Sequence, residues 1–260
     1  MFRLRSYALL VAVALVAAGC GSSGGAGGVS LDQEWQLGNQ LAAQVQQQVR
    51  LINDPVALSY VRSVGERIHA QTPLADRPFN FYIVDDPEVN AFSLPGGHIY
   101  VNRGLIDRAD KADELAAVLA HEISHVVARH AIKQAQQAQE INALGSILLG
   151  NNPNALSQLA AQVLAGGAMA RFSRADEKQA DDMGLDLMYR AGYDAHGMLD
   201  FFNKLLAMEQ GGDNAVTRFF RDHPGTSDRI ADIQGRIGNY PSRPGQIVDD
   251  QGFHDLKSRV

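Results

Sequence analysis

His121-Glu122-Ile123-Ser124-His125 is the stretch on which the reading of this chain turns. On a helix the two histidines lie one turn apart and share a face. Imidazoles at that spacing can hold one zinc ion, and Glu122 beside them can reach a water bound to that metal. The pattern predicts metal-assisted hydrolysis, most often of a peptide bond. Its flanks are apolar, Leu115 to Ala120 before it and Val126-Val127 after it. A helix buried on several sides with two histidines and a glutamate needs partners for them, and zinc is one.

Working outward, Asp110 reads as the N-cap of this helix, which should run to about Gln134. A catalytic zinc keeps three protein ligands and an open position, so a third ligand must come from elsewhere. Glu177 is the candidate. It lies in a helix that Ser173 opens, with Asp176 completing the capping box, and that Gly192 stops. Positions 177, 181, 184 and 188 form one stripe carrying Glu177, Asp181, Gly184 and Met188. Gly184 would let another helix come close. Asp181 is placed to accept a hydrogen bond from a ligating histidine and so fix its tautomer. Lys178 and Asp182 suit a solvated charged face equally well, so spacing alone leaves both readings of Glu177 open.

Upstream, helices are predicted over about 31–53 and from Val56 to Ala70, with Glu66 and His69 at the surface. Phe79–Val84, Asn90–Ser93 and His98–Asn102 read as strands of a small antiparallel meander, turned at Pro95-Gly96-Gly97. His98 reads as structural, as does His130, which lies five residues past His125 and off the ligand face. Residues 141–170 are apolar but broken by Gly and Asn, which suits a lid or a helix hairpin rather than a membrane span. Helices follow at about His196–Met208 and Ser227–Ile237, and the tail of residues 241–260 reads as loosely ordered. No internal repeat is found.

The 260 residues carry a net charge of −6 and show no basic block, which argues against nucleic-acid binding. The single cysteine, Cys20, excludes a disulfide framework or a thiolate cluster. Arg3 and Arg5, the apolar run from Tyr7 to Gly19 and then Cys20 predict a signal peptide over residues 1–19. Val16-Ala17-Ala18-Gly19-Cys20 resembles a bacterial lipobox, so Cys20 is the expected lipidation site. Residues 20–30 are then a Gly-rich tether. Gly21 stands where Asp would signal inner-membrane retention, which points to a lipid anchor in the outer membrane facing the periplasm.

Four blocks resemble the zinc metallopeptidases related to the CAAX prenyl protease, a family with HtpX-, Oma- and BepA/LoiP-like branches. They are Asn90–Ile99, His121–His130, Ser173–Gly184, and His223-Pro224 followed by Arg229-Ile230. The likeness spans about residues 31–240 and is nearest the compact lipoprotein branch. It implies an α+β, mostly helical fold with an HExxH zincin core and a small antiparallel sheet. It implies one catalytic zinc held by His121, His125 and Glu177, with Glu122 as general base and Asp181 behind a ligand. By the same resemblance His223 either stabilises the transition state or closes the site as a fourth ligand, and Arg229 supports the pocket. The strand His98, Ile99, Tyr100, Val101 and Asn102 is expected to pair with an extended substrate. The implied role is cleavage of misfolded or misassembled envelope proteins, with outer-membrane assembly machinery as a partner. A chaperone-like assembly factor with a gated zinc site is the alternative, and a cell-wall amidase is the third.

Overall fold

The computed structural model describes residues 29–137, 153–165 and 172–260. The signal peptide, Cys20 and nearly all of the tether lie outside the described residues, as do 141–152 and 166–170 of the anticipated lid.

Helix α1 (Leu31–Gln48) opens on a Ser30/Gln33 capping box. Strand β1 (Leu51–Ile52) follows, then α2 (Pro55–His69), capped by Asp54 with Pro55 at its first position. Strands β2 (Asn80–Val84), β3 (Ala91–Leu94) and β4 (His98–Asn102) complete a sheet of order β1-β2-β4-β3. The expected meander is corrected here. The β3–β4 hairpin is antiparallel, turned by Gly96 and Gly97 at positive φ, but β4 pairs with β2 in parallel, from Asn80↔His98 to Val84↔Asn102. Strand β1, absent from the sequence reading, pairs antiparallel with the other edge of β2.

The sheet separates two apolar layers. Phe81, Ile83, Ile99 and Val101 face the larger core, whereas Tyr82, Val84 and Tyr100 face the smaller one with Leu37, Leu41 and Val45 of α1. This alternation buries β4 on both faces. Tyr82, Tyr100 and Phe92 stack across three strands at 4.6 and 4.8 Å between centroids.

After α3 (Arg103–Arg108) comes α4 (Ala112–Val127), the buried central helix, which carries the HExxH motif. It starts at Ala112 rather than at an Asp110 cap, and it stops short of Gln134. Arg129 takes the left-handed conformation (φ 59°) and breaks the run, and α5 (His130–Gln137) begins anew. Helix α6 (Pro153–Leu164) lies along α1, tied by Ser157 Oγ donating to Gln44 Oε1 at 2.8 Å.

Helix α7 (Arg174–Arg190) has the anticipated Ser173/Asp176 capping box and packs closely on α4. Gly184 permits the approach, since a Cβ there would stand 3.3 Å from the His121 main-chain nitrogen. Helix α8 (His196–Gln210), the short α9 (Thr217–Asp222) and α10 (Thr226–Arg236) then enclose the site.

The tail is not loose. Helix α11 (Gln251–Lys257) folds back on α2 and buries Phe253 and Leu256 completely. Just before it, Asp249 Oδ1 accepts the Ala112 N–H at 3.3 Å and Val248 O accepts that of Asp113 at 3.0 Å. Helix α4 has no side-chain cap of its own, so the tail satisfies two of its orphan donors. His69 also departs from expectation: it is buried, stacks on Phe79 and bonds Leu74 O at 2.9 Å.

Candidate metal centre

Helix geometry and one close helix pair assemble the site. Helix α4 presents His121 and His125 one turn apart, α7 presents Glu177, and the end of α9 delivers His223. One donor atom from each of these four buried side chains lies within 4.8 Å of the others. His121 Nε2 is 3.0 Å from His125 Nε2 and 3.3 Å from His223 Nδ1. Glu177 oxygens stand 3.4 Å from both ligand-motif histidines and 3.2 Å from His223 Nδ1.

Around them is a shell of fixed charge. Asp181 Oδ1 accepts His121 Nδ1–H at 2.9 Å. Arg229 grips both Asp181 oxygens and reaches Glu177 Oε2, each at 2.7 Å, with its guanidinium over the Phe202 ring. Phe172 stacks on His125 at 4.0 Å between centroids.

Two buried carboxylates, Glu177 and Asp181, give the centre a negative character. Burial opposes ionisation of Glu177, but His223 and Arg229 overcome it and hold the carboxyl well below its ordinary range. Asp181 is likewise lowered, with Arg229 outweighing burial. Burial would depress His121, yet the hydrogen bonds it donates to Asp181 and Glu177 raise it to about 9. Burial prevails at His125 and takes it to about 3. Metal binding at these nitrogens would compete with protons. Three imidazoles and a carboxylate are a donor set suited to zinc. Glu122 adds a further sign of fit: its Oε2 is buried with no hydrogen-bond partner.

Glu122 lines a slot of about 10 Å³, room for a single water, together with Asn90, Phe92, Ser93, Val163, Phe172 and His223. One wall of the slot is β3, whose outer edge pairs with no strand among the described residues. The substrate strand expected at His98–Asn102 is corrected accordingly. Strand β4 is paired on both sides and fully buried, so it has no free main-chain groups to offer. His98 is structural, accepting from Tyr82 Oη at 3.1 Å and donating to Asn39 Oδ1 at 2.9 Å. The sequence reading found the Asn90–Ser93 strand but not its position at the edge, which depends on pairing across the fold.

The structure thus brings His121, Glu122, His125, Glu177, Asp181, His223 and Arg229 together. His130, read as lying off the ligand face, is instead beneath it, with Nδ1 2.8 Å from His125 Nδ1. The break at Arg129 resets the helical phase on which that expectation rested.

Residues 56–237 match the model of Peptidase family M48. The chain is 32% identical over 241 residues to the beta-barrel assembly-enhancing protease of Escherichia coli (strain K12), a match covering 89% of this chain and 49% of that protein. It is 33% identical over 175 residues to the mitochondrial metalloendopeptidase OMA1 of Schizosaccharomyces pombe, covering 67% of this chain and 51% of the relative. It is 30% identical over 182 residues to the metalloprotease LoiP of Escherichia coli (strain K12), covering 67% of each. The chain spans about half the length of the beta-barrel assembly-enhancing proteases it matches.

Proposed function

Because the chain belongs to Peptidase family M48, we propose that it is a zinc metalloendopeptidase that cleaves misfolded or misassembled proteins of the bacterial envelope. One observation carries the reading: Glu122 presents a buried, unpartnered oxygen beside a compact His121/His125/Glu177 donor set. When bound, zinc supplies Lewis-acid polarisation of the attacking water and of the scissile carbonyl. Glu122 accepts the water's proton at Oε2 and returns it to the leaving amine. Asp181 fixes the His121 tautomer, and Arg229 keeps Asp181 and Glu177 ionised. The outer edge of β3 at Phe92-Ser93, unpaired among the described residues, is the place for an extended substrate to pair through its main chain. Such pairing tolerates many side chains, which suits unfolded substrates.

Envelope substrates are supported by the relative named beta-barrel assembly-enhancing protease and by the lipobox-like run ending at Cys20. The proposed location is the periplasmic face of the outer membrane, with Cys20 lipidated and assembly machinery as a partner. No described helix is long and apolar enough to cross a membrane.

The test is cleavage of unfolded casein by the zinc-loaded chain and its Glu122→Gln variant. Cleavage by the wild type alone supports the peptidase. A second reading, a chaperone-like assembly factor with a gated site, is favoured by His223, whose Nδ1 joins the donor cluster while its Nε2 is 3.5 Å from Glu122 Oε1. Relief of envelope stress by both proteins, with cleavage by neither, would select it.

A further inference from the structure

We propose that His130 is a positioning residue for His125: it accepts the His125 Nδ1–H and is itself held by Gln179, leaving the His125 Nε2 lone pair aimed at the metal. The inference rests on the zinc reading above.

The two histidines of the motif are held differently. His121 gives its Nδ1–H to a carboxylate, Asp181, backed by Arg229. His125 has no carboxylate on Nδ1. It meets His130 Nδ1 at 2.8 Å, and His130 Nε2 stands 3.1 Å from Gln179 Oε1. The amide oxygen, and the Asp176 carboxylate oxygen 3.5 Å from the same nitrogen, can only accept, so His130 carries its proton on Nε2 and leaves Nδ1 as an acceptor. His125 must then donate from Nδ1, and its Nε2, facing His121 and Glu177, is the free lone pair. This chain of donors fixes the tautomer a ligating histidine needs.

The backbone is built for this contact. On a continuous helix a residue five positions past His125 would point away from its ring. Arg129 at φ 59° turns the chain so that His130 comes back beneath it. A non-glycine residue in that conformation is held by its surroundings. Here Arg129 Nε bonds the buried Glu34 at 2.6 Å and its Nη2 bonds Val29 O at 2.5 Å. The contact therefore depends on α1 packing against the motif. His130 is buried, 1% exposed, so water does not substitute for it. Helix α7 thereby steadies both histidines, His121 through Asp181 and His125 through Gln179 and His130.

The experiment measures zinc affinity of the full chain by chelator competition, together with the cobalt(II) d–d spectrum. His130→Phe keeps a ring but removes the acceptor, and zinc should bind about 10- to 100-fold more weakly. His130→Asn restores an acceptor near the Nδ1 position and should recover most of that loss and the wild-type cobalt spectrum. Gln179→Met combined with Asp176→Ala, which leaves His130 in place but removes both acceptors facing its Nε2, should weaken zinc several-fold, and it decides the matter if His130→Phe does not fold. Unchanged affinity in His130→Phe or in that double variant overturns the assignment, as does equal loss in the Phe and Asn variants. A wild type that binds no zinc overturns the metal reading along with it, whereas a zinc-binding wild type matched by His130→Phe overturns only the role of His130.

Discussion

The guanidinium of Arg229 holds both carboxylate oxygens of Asp181 at 2.7 Å. Its third nitrogen reaches Glu177, so one buried cation is shared between two buried anions and leaves a net negative charge. Removing a partner from such a group leaves uncompensated charge, at a cost of about 3–5 kcal/mol. Arg229→Met should therefore lose about that much stability without metal, and zinc, by neutralising Glu177, should restore part of it. Urea unfolding in EDTA and in zinc measures both. A loss under about 1 kcal/mol in EDTA would contradict this account of the site.

His223 completes the donor cluster, with Nδ1 3.3 Å from His121 Nε2 and 3.2 Å from Glu177 Oε1. If it closes the site at rest, only the fraction of molecules with His223 withdrawn is competent. His223→Ala should then raise kcat/KM on unfolded casein, by about 3- to 10-fold. A histidine that stabilises the transition state predicts the reverse, a fall of roughly 100-fold or more. The direction of the change assigns the role.

What could be read in the sequence was local. The spacing of His121 and His125, the Ser173/Asp176 box and the Glu177–Asp181–Gly184 stripe all follow from one helical period, and each is found in the structure. The same period misplaced His130, because a single left-handed residue at Arg129 reset it. The sheet was misread for a different reason. The parallel pairing of β2 with β4 puts β3 at the edge, and nothing in the strands' own residues distinguishes that order from a meander. The tail was hidden by the Pro-, Gly- and Asp-rich run after Tyr240, which masks the short Phe253/Leu256 pair that docks it.

Asp113, in the first turn of α4, is buried with one oxygen unpartnered. Burial, with Glu114 and Asp194 adding to it against Lys111, pushes its carboxyl from 3.8 up to about 7. The folded state then binds a proton that the unfolded state releases between those values. Stability from this group is full below about pH 3.8 and is lost as pH rises towards 7. Asp113→Asn should cancel that slope and be more stable than the wild type at pH 8, by on the order of 2 kcal/mol. The two should converge at pH 4. Urea midpoints across pH 4–8 test this, and a constant difference between the proteins would refute it.

The clasp formed by the tail gives the last prediction. Phe253 is fully buried against α2, and Lys257 donates to the Asp107 and Ala109 carbonyls. Phe253→Ala should cost about 3–5 kcal/mol through lost burial and a cavity. Asp249→Ala removes a cap from the Ala112 N–H and the half-exposed pair with His254 at 2.7 Å, and should cost about 1–2 kcal/mol. Both positions are remote from the metal donors, so zinc affinity of the folded protein should stay within about two-fold of wild type, within the additivity expected of distant sites. Because α4 begins where this segment ends it, hydrogen exchange at Ala112 and Asp113 should accelerate in Asp249→Ala ahead of exchange at His121 to His125. Equal acceleration along the whole helix would mean that the tail stabilises the domain globally rather than capping the start of α4.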